Sequence, residues 1–114
     1  MFCLKFFCSL AIFSFIIGSS PHLVSADENQ FLIVLKDHKF SPAELKIPAH
    51  KKIKIIVENQ DPSPEEFESY DLNREKVVSA NGKITVFIGP LKPGTYAFFG
   101  DFHPDSARGV IIAE

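Results

Sequence analysis

The chain has 114 residues, a formal net charge of −2 at neutral pH and two cysteines. This length supports one domain with one hydrophobic core. The slight excess of acidic groups argues against nucleic acid or another polyanion as a partner.

The first 26 residues have the pattern of an export signal. Lys5 supplies a positive charge, residues 6–17 are apolar, and Val24-Ser25-Ala26 suits a signal peptidase. An apolar run of about twelve residues is too short to cross a bilayer as a helix, which disfavours a retained anchor. We therefore predict a cleaved signal peptide at 1–26, a domain at 27–114 and a periplasmic or otherwise exported protein.

Both cysteines, Cys3 and Cys8, lie within the predicted signal. Removing 26 residues from 114 leaves 88 residues without a thiol, which excludes a disulfide framework, a thiolate zinc site and a cysteine nucleophile. Stability must then come from hydrophobic packing, and any metal site must use oxygen and imidazole ligands.

The remaining sequence alternates strand patterns with turns. Residues 52–58 alternate with period two and place Ile53, Ile55 and Val57 on one face. Further strands are predicted at 31–36, 83–89, 95–99 and 109–113, with a turn and a short strand within 40–48.

Turn signals separate these segments. The Pro-rich stretch 59–64 ends a strand, Asn81-Gly82 is a two-residue hairpin signature, and 92–94 is a tight turn. No segment has a long helical period. The pattern predicts an all-β Greek-key sandwich of about seven to eight strands.

Several motifs carry a family resemblance. The pattern Phe40-x-Pro42-x-x-Leu45, an alternating strand that ends in Asn59, and a later Pro93-Gly94 turn together resemble the cupredoxin fold. Segments 65–69, 74–78 and 99–104 more narrowly resemble small periplasmic cupredoxin-like proteins, including the cupredoxin-like domain of bacterial ferrous-iron uptake systems that work with an iron permease.

The resemblance also says where a blue-copper site would lie. It puts Glu65 at or beside the first histidine, Gly100 at the cysteine, His103 at the second histidine and Arg108 near the axial methionine. A type 1 copper site depends on a thiolate. Electron transfer by that route is therefore not expected, and we expect a colourless protein with copper.

The two loops that form the cupredoxin site nevertheless carry other donors. Glu65, Glu66 and Glu68 lie on one, and Asp101, His103 and Asp105 lie on the other. If Phe67 enters the core, Glu66 and Glu68 share a face, and an extended backbone would give Asp101 and His103 a common face.

We predict a metal site formed by Glu65, Glu66, Glu68, Asp101 and His103. Carboxylate and imidazole together suit Fe, Mn, Zn or Cu(II), and the resemblance favours iron or copper.

Other interpretations of these residues stay open. Acidic residues beside a Pro-rich loop are often a solvated face, and His103 before a proline can cap a turn. His50 stands in a turn that demands a strained backbone, and His38 ends a strand, so both are weaker ligand candidates. Convergence of the two loops is implied by the resemblance and not by spacing.

The sequence has no motif for nucleophilic catalysis, so we predict that the protein is not an enzyme. The expected function is metal binding for uptake or trafficking, with a membrane iron permease or other transport component as partner. The alternative is a metal-free module that docks on such a component. The charges of 74–76 suit either a docking edge or an edge that discourages sheet association.

Overall fold

The computed structural model describes residues 29–114, and all regular elements within that range are β-strands. There are nine of them: β1 Gln30–Lys36, β2 Lys39–Ser41, β3 Glu44–Ile47, β4 Ile53–Asn59, β5 Glu65–Ser69, β6 Arg74–Val78, β7 Lys83–Ile88, β8 Gly94–Gly100 and β9 Arg108–Ala113. The predicted signal peptide at 1–26 lies outside the described residues.

The strands form two sheets, with orders β2-β1-β4-β7 and β3-β9-β8-β5-β6. β1 and β4 are parallel, as are β3 and β9, and the other neighbouring strands are antiparallel. The chain changes sheet five times, between β2 and β3, β3 and β4, β4 and β5, β6 and β7, and β7 and β8. The predicted all-β sandwich is confirmed, and the short β2 brings the strand number to nine.

The core lies between the sheets and follows the two-residue period of the sequence. Ile53, Ile55 and Val57 are fully buried, as the alternation predicted. Phe67 stacks on Phe98 at 5.3 Å between ring centroids, and Phe40 contacts both rings edge-on. Apolar packing of this kind supplies the main stabilisation at roughly 25 cal/mol per Å² buried.

The hairpin predicted at Asn81-Gly82 is wrong, because β6 and β7 on either side belong to different sheets. The turn itself is present: Asn81 has a φ of 54°, and the Gly82 N–H donates to the Ser79 carbonyl at 2.9 Å. A local turn signal does not say whether the flanking strands pair, since pairing is decided by tertiary packing.

Charged side chains of β6 join the two sheets. Arg74 Nε donates to the Phe87 carbonyl at 2.8 Å, and Lys76 Nζ donates to the Thr85 carbonyl at 3.1 Å. These bonds satisfy carbonyls at the open edge of β7, as expected of a protected sheet edge.

Over residues 29–114, no helix has the length and apolar character that a membrane crossing requires.

Candidate metal centre

Three loops meet at one end of the sandwich and bring two histidines and a glutamate together. His38 lies in the β1–β2 turn, Glu65 begins β5, and His103 lies in the β8–β9 loop. Each offers one possible ligand atom, and these atoms all lie within 4.8 Å of one another. We call this set the inner site.

Glu65 is the buried member of the inner site, with 1% of its side chain exposed. Its Oε1 accepts the backbone N–H groups of Phe102 at 2.7 Å and Glu66 at 3.0 Å, and its Oε2 lies 2.6 Å from His103 Nδ1. Charge-assisted hydrogen bonds of this kind offset the cost of removing a carboxylate from water.

Gly100, the last residue of β8, makes room for that carboxylate. A Cβ at position 100 would lie 2.6 Å from Glu65 Cδ and 2.8 Å from Ala107 Cβ. Both distances are far below van der Waals contact. A cysteine at this position is therefore incompatible with Glu65 as it is placed.

His103 is held by the backbone turns of its loop. Its N–H donates to the Gly100 carbonyl at 3.1 Å, and its carbonyl accepts the Ala107 N–H at 2.9 Å. The side chain is one-third exposed, so the inner site opens to solvent through the imidazoles and not through Glu65.

His38 completes the inner site, although the sequence ranked it as a weak candidate. Its ring stacks on His103 with 3.6 Å between centroids and 16° between planes. Asp37 and His38 have φ values of 52° and 57°, a left-handed pair that turns the chain from β1 into β2. Asp and His tolerate this conformation better than most residues. Their presence at positions 37 and 38 is the only sequence signal for a tight turn here.

Asp61 is a residue beside the inner site that the sequence did not indicate. Burial would raise the pKa of its carboxyl, but hydrogen bonds from the backbone of His38 and Asp37, together with the His38 and His103 imidazoles, hold it below its usual value. Asp61 is therefore ionised beside the inner site.

Glu66, Glu68 and Asp101 form a separate group, the outer cluster, whose ligand atoms also lie within 4.8 Å of one another. Because side chains alternate along β5, Glu66 and Glu68 project from the opposite face to Glu65. Partial burial and the carboxylates of Glu75, Asp101 and Glu68 raise the pKa of Glu66 to about 7.

The five predicted ligands are thus divided between two places. Glu65 and His103 belong to the inner site, and Glu66, Glu68 and Asp101 belong to the outer cluster. The pairing of Glu66 with Glu68 follows the sequence prediction. The common face for Asp101 and His103 does not occur, because the backbone after Gly100 turns and is not extended.

The remaining candidates, His50, Arg108 and Asp105, belong to neither group. His50 adopts a φ of 61° in its turn, as the strained-turn interpretation predicted. Arg108, implied to lie near the axial position, is exposed and donates from Nε to the Pro104 carbonyl at 2.6 Å. Asp105 is exposed.

Fold and site together define a cupredoxin-type sandwich with an imidazole–carboxylate set at its loop end. The chain belongs to the cupredoxin-like domain family, whose profile it matches over residues 7–113. A protein of Rickettsia prowazekii (strain Madrid E), described as uncharacterized, is 45% identical over 111 residues, covering 96% of this chain and 86% of the relative.

Solved structures share the fold. Amicyanin from Paracoccus versutus (Thiobacillus versutus) has 17% identity and a TM-score of 0.60 over 75% of this chain and 82% of its own. Auracyanin A, a blue copper protein from Chloroflexus aurantiacus, has 12% identity and a TM-score of 0.64 over 75% and 98%. At these identities the likeness concerns the fold alone.

The donor set decides which metal chemistry suits the inner site. Within residues 29–114 there is no thiol, and the space beside Gly100 is filled by Glu65, so the residues do not fit a type 1 copper centre. Two imidazoles and one carboxylate do fit borderline ions such as Fe(II), Zn(II) and Cu(II).

Proposed function

We propose that this protein is an exported, non-enzymatic metal-binding protein that holds one iron or copper ion at His38, Glu65 and His103. The observation that carries the proposal is the convergence of these three side chains from three loops, with possible ligand atoms within 4.8 Å of one another. A bound ion would place a positive charge beside the buried Glu65 carboxylate. Oxygen and nitrogen donors in fixed positions would surround that ion.

Copper has support from the fold, since auracyanin A is a blue copper protein of the same architecture. Iron has support from the resemblance of segments 65–69 and 99–104 to iron-uptake cupredoxin-like domains. Either ion would be held for uptake or trafficking in the periplasm, with a membrane iron permease or another transport component as its source or destination. The proposed function does not include blue-copper electron transfer, because the donor set has no thiol.

One observation favours a second candidate, a metal-free interaction module that docks on a transport component. The donors of the inner site already have protein partners, because His103 Nδ1 lies 2.6 Å from Glu65 Oε2 and His38 Nδ1 lies 3.5 Å from Asp61 Oδ2. Such pairs can close a loop end without an ion.

Calorimetric titration of the mature protein with Cu(II), Zn(II), Fe(III) and, without oxygen, Fe(II) separates the two candidates. We expect one ion per chain and a loss of at least about tenfold in affinity for His38→Ala, Glu65→Gln and His103→Ala. His50→Asn is the matched control, since it removes an imidazole from a turn outside the site and keeps a residue that tolerates a φ of 61°.

Binding no tighter than millimolar for every ion would refute the metal proposal and leave the interaction module. Binding that survives all three inner-site variants but is lost in a Glu66→Gln/Glu68→Gln variant would move the site to the outer cluster.

A further inference from the structure

Asp61 is a buried carboxylate that lies beside the inner site without being one of its three donors. It belongs to the β4–β5 loop and is 5% exposed. Its Oδ1 accepts the Asp37 N–H at 2.7 Å, its Oδ2 accepts the His38 N–H at 3.0 Å, and Oδ2 also lies 3.5 Å from His38 Nδ1. One side chain therefore contacts both the backbone and the ring of His38.

Asp61 is itself fixed by buried Asn59. The Asn59 Oδ1 accepts the Asp61 N–H at 2.9 Å, while its Nδ2 donates to the carbonyls of Ser63 at 2.8 Å and Ser79 at 3.2 Å. The Asp61 carbonyl accepts the Asn81 N–H at 3.0 Å. The carboxylate is thus anchored to two loops before it reaches the β1–β2 turn.

The β1–β2 turn depends on such an anchor. Asp37 and His38 both have positive φ, a conformation that costs of order 1 kcal/mol at a non-glycine residue and persists where its surroundings fix it. The two N–H bonds to Asp61 fix it. They also set the position from which the His38 ring stacks on His103 at 3.6 Å.

The ring contact has a chemical consequence. A neutral imidazole whose Nδ1 faces a carboxylate carries its proton on Nδ1, which leaves the lone pair on Nε2. Histidine ligands commonly have their second ring nitrogen held in this way by a carboxylate, which fixes tautomer and orientation.

We propose that Asp61 is the positioning residue of the inner site: it holds the β1–β2 turn and the Nδ1–H form of His38, so that His38 ligates through Nε2. This inference rests on the proposed function. The Nδ1–H form of His38 distinguishes this role from that of a turn anchor, which would place the His38 ring without deciding which ring nitrogen carries the proton.

Electron paramagnetic resonance of the Cu(II)-loaded protein tests this directly, because nitrogen hyperfine structure counts the ligating imidazoles. We expect two nitrogens in the wild type, and one in both His38→Ala and Asp61→Asn. Cu(II) affinity should fall about 10- to 100-fold in Asp61→Asn. Adding Asp61→Asn to His38→Ala should cause no further loss, since Asp61 acts through His38.

Two ligating nitrogens in Asp61→Asn would overturn the inference while the proposed function stands. So would a fall in Cu(II) affinity, on adding Asp61→Asn to His38→Ala, as large as the fall that Asp61→Asn causes in the wild type. A wild type that binds no Cu(II), Zn(II) or iron would overturn both. If Asp61→Asn does not fold, the long-range ¹H–¹⁵N spectrum of the metal-free wild type decides: we expect the proton of His38 on Nδ1, and a proton on Nε2 would refute the assignment.

Discussion

At the scale of single residues, Gly100 and Glu65 are complementary. The glycine lacks the atom that would collide with the carboxylate, and the carboxylate fills the space that a larger residue would need. Position 100 therefore lacks a thiol, and the space beside it holds a buried carboxylate that accepts hydrogen bonds from two backbone N–H groups. The two positions have to be changed together if the site is to be rebuilt.

Gly100→Ala tests this complementarity. The added methyl would lie 2.6 Å from Glu65 Cδ and 2.8 Å from Ala107 Cβ, so the buried carboxylate must move. We expect the free energy of unfolding in urea to fall by about 1–3 kcal/mol. Gly94→Ala is the control, because its nearest neighbour would be 3.7 Å away. Equal stability of Gly100→Ala and the wild type would contradict the close packing.

A second prediction at this scale concerns protons. Glu65 Oε2 and His103 Nδ1 are 2.6 Å apart, which is a hydrogen-bond distance. Two ligand atoms around one tetrahedral ion, each about 2.0–2.1 Å from it, lie roughly 3.3 Å apart. An ion bound to both atoms would replace this hydrogen bond and widen the pair, and metal binding releases the protons that its ligands carry.

Calorimetric titration in two buffers with different ionisation enthalpies measures that release. The apparent binding enthalpy should differ between the buffers, and affinity should fall as the pH is lowered. His103→Ala is the control for protons released elsewhere. Identical enthalpies in both buffers would contradict the expected proton release.

At the scale of elements, β5 carries two chemistries on its two faces. Glu65 and Phe67 face the interior, whereas Glu66 and Glu68 face outward beside β6 and Asp101. The two-residue period of a strand is enough to predict this division from the sequence. The same period fails for Asp101 and His103, because hydrogen bonds to the Gly100 and His103 carbonyls turn the backbone of that loop.

The crowded acids of the outer face predict a pH dependence. The pKa of Glu66 is raised from 4.5 to about 7 by partial burial and by Glu75, Asp101 and Glu68. A raised carboxyl pKa means that the folded state binds the proton more tightly than the unfolded state. The corresponding stability is fully present below pH 4.5 and is lost as the pH rises through about 7.

Glu66→Gln should remove this loss. Urea unfolding from pH 4 to 9 should show the variant gaining stability relative to the wild type as the pH rises, with a plateau above about pH 8. Glu44→Gln, at an exposed position on β3, is the control. Parallel stability curves for Glu66→Gln and the wild type would show that the neighbouring carboxylates do not act on Glu66 as described.

At the scale of the whole molecule, the sandwich was predictable because its signals are local and repeated, as in the buried alternation of Ile53, Ile55 and Val57. The inner site was only partly predictable. Its members come from three loops, and the stacking of His38 on His103 depends on how the two sheets pack. No spacing in the sequence encodes that contact. The same holds for Asp61, which lies in a loop whose sequence signals only a turn.

Because the inner site joins three loops, ion binding there should stabilise the whole domain. An ion that binds only the folded chain adds about 2.7 kcal/mol at a free concentration of 100 times its Kd. For a domain of this size, each 1 kcal/mol raises Tm by roughly 4–8 °C, so a rise of about 10–20 °C is expected in scanning calorimetry.

The rise should disappear on addition of a chelator and should be absent in Glu65→Gln and His103→Ala. It should persist in Glu66→Gln and His50→Asn, which leave the inner site intact. The metal-free module predicts instead the same Tm with and without ions for all of these chains. A Tm that rises equally in Glu65→Gln and the wild type would place the bound ion away from the three loops, and the buried carboxylate would then serve only to hold His103.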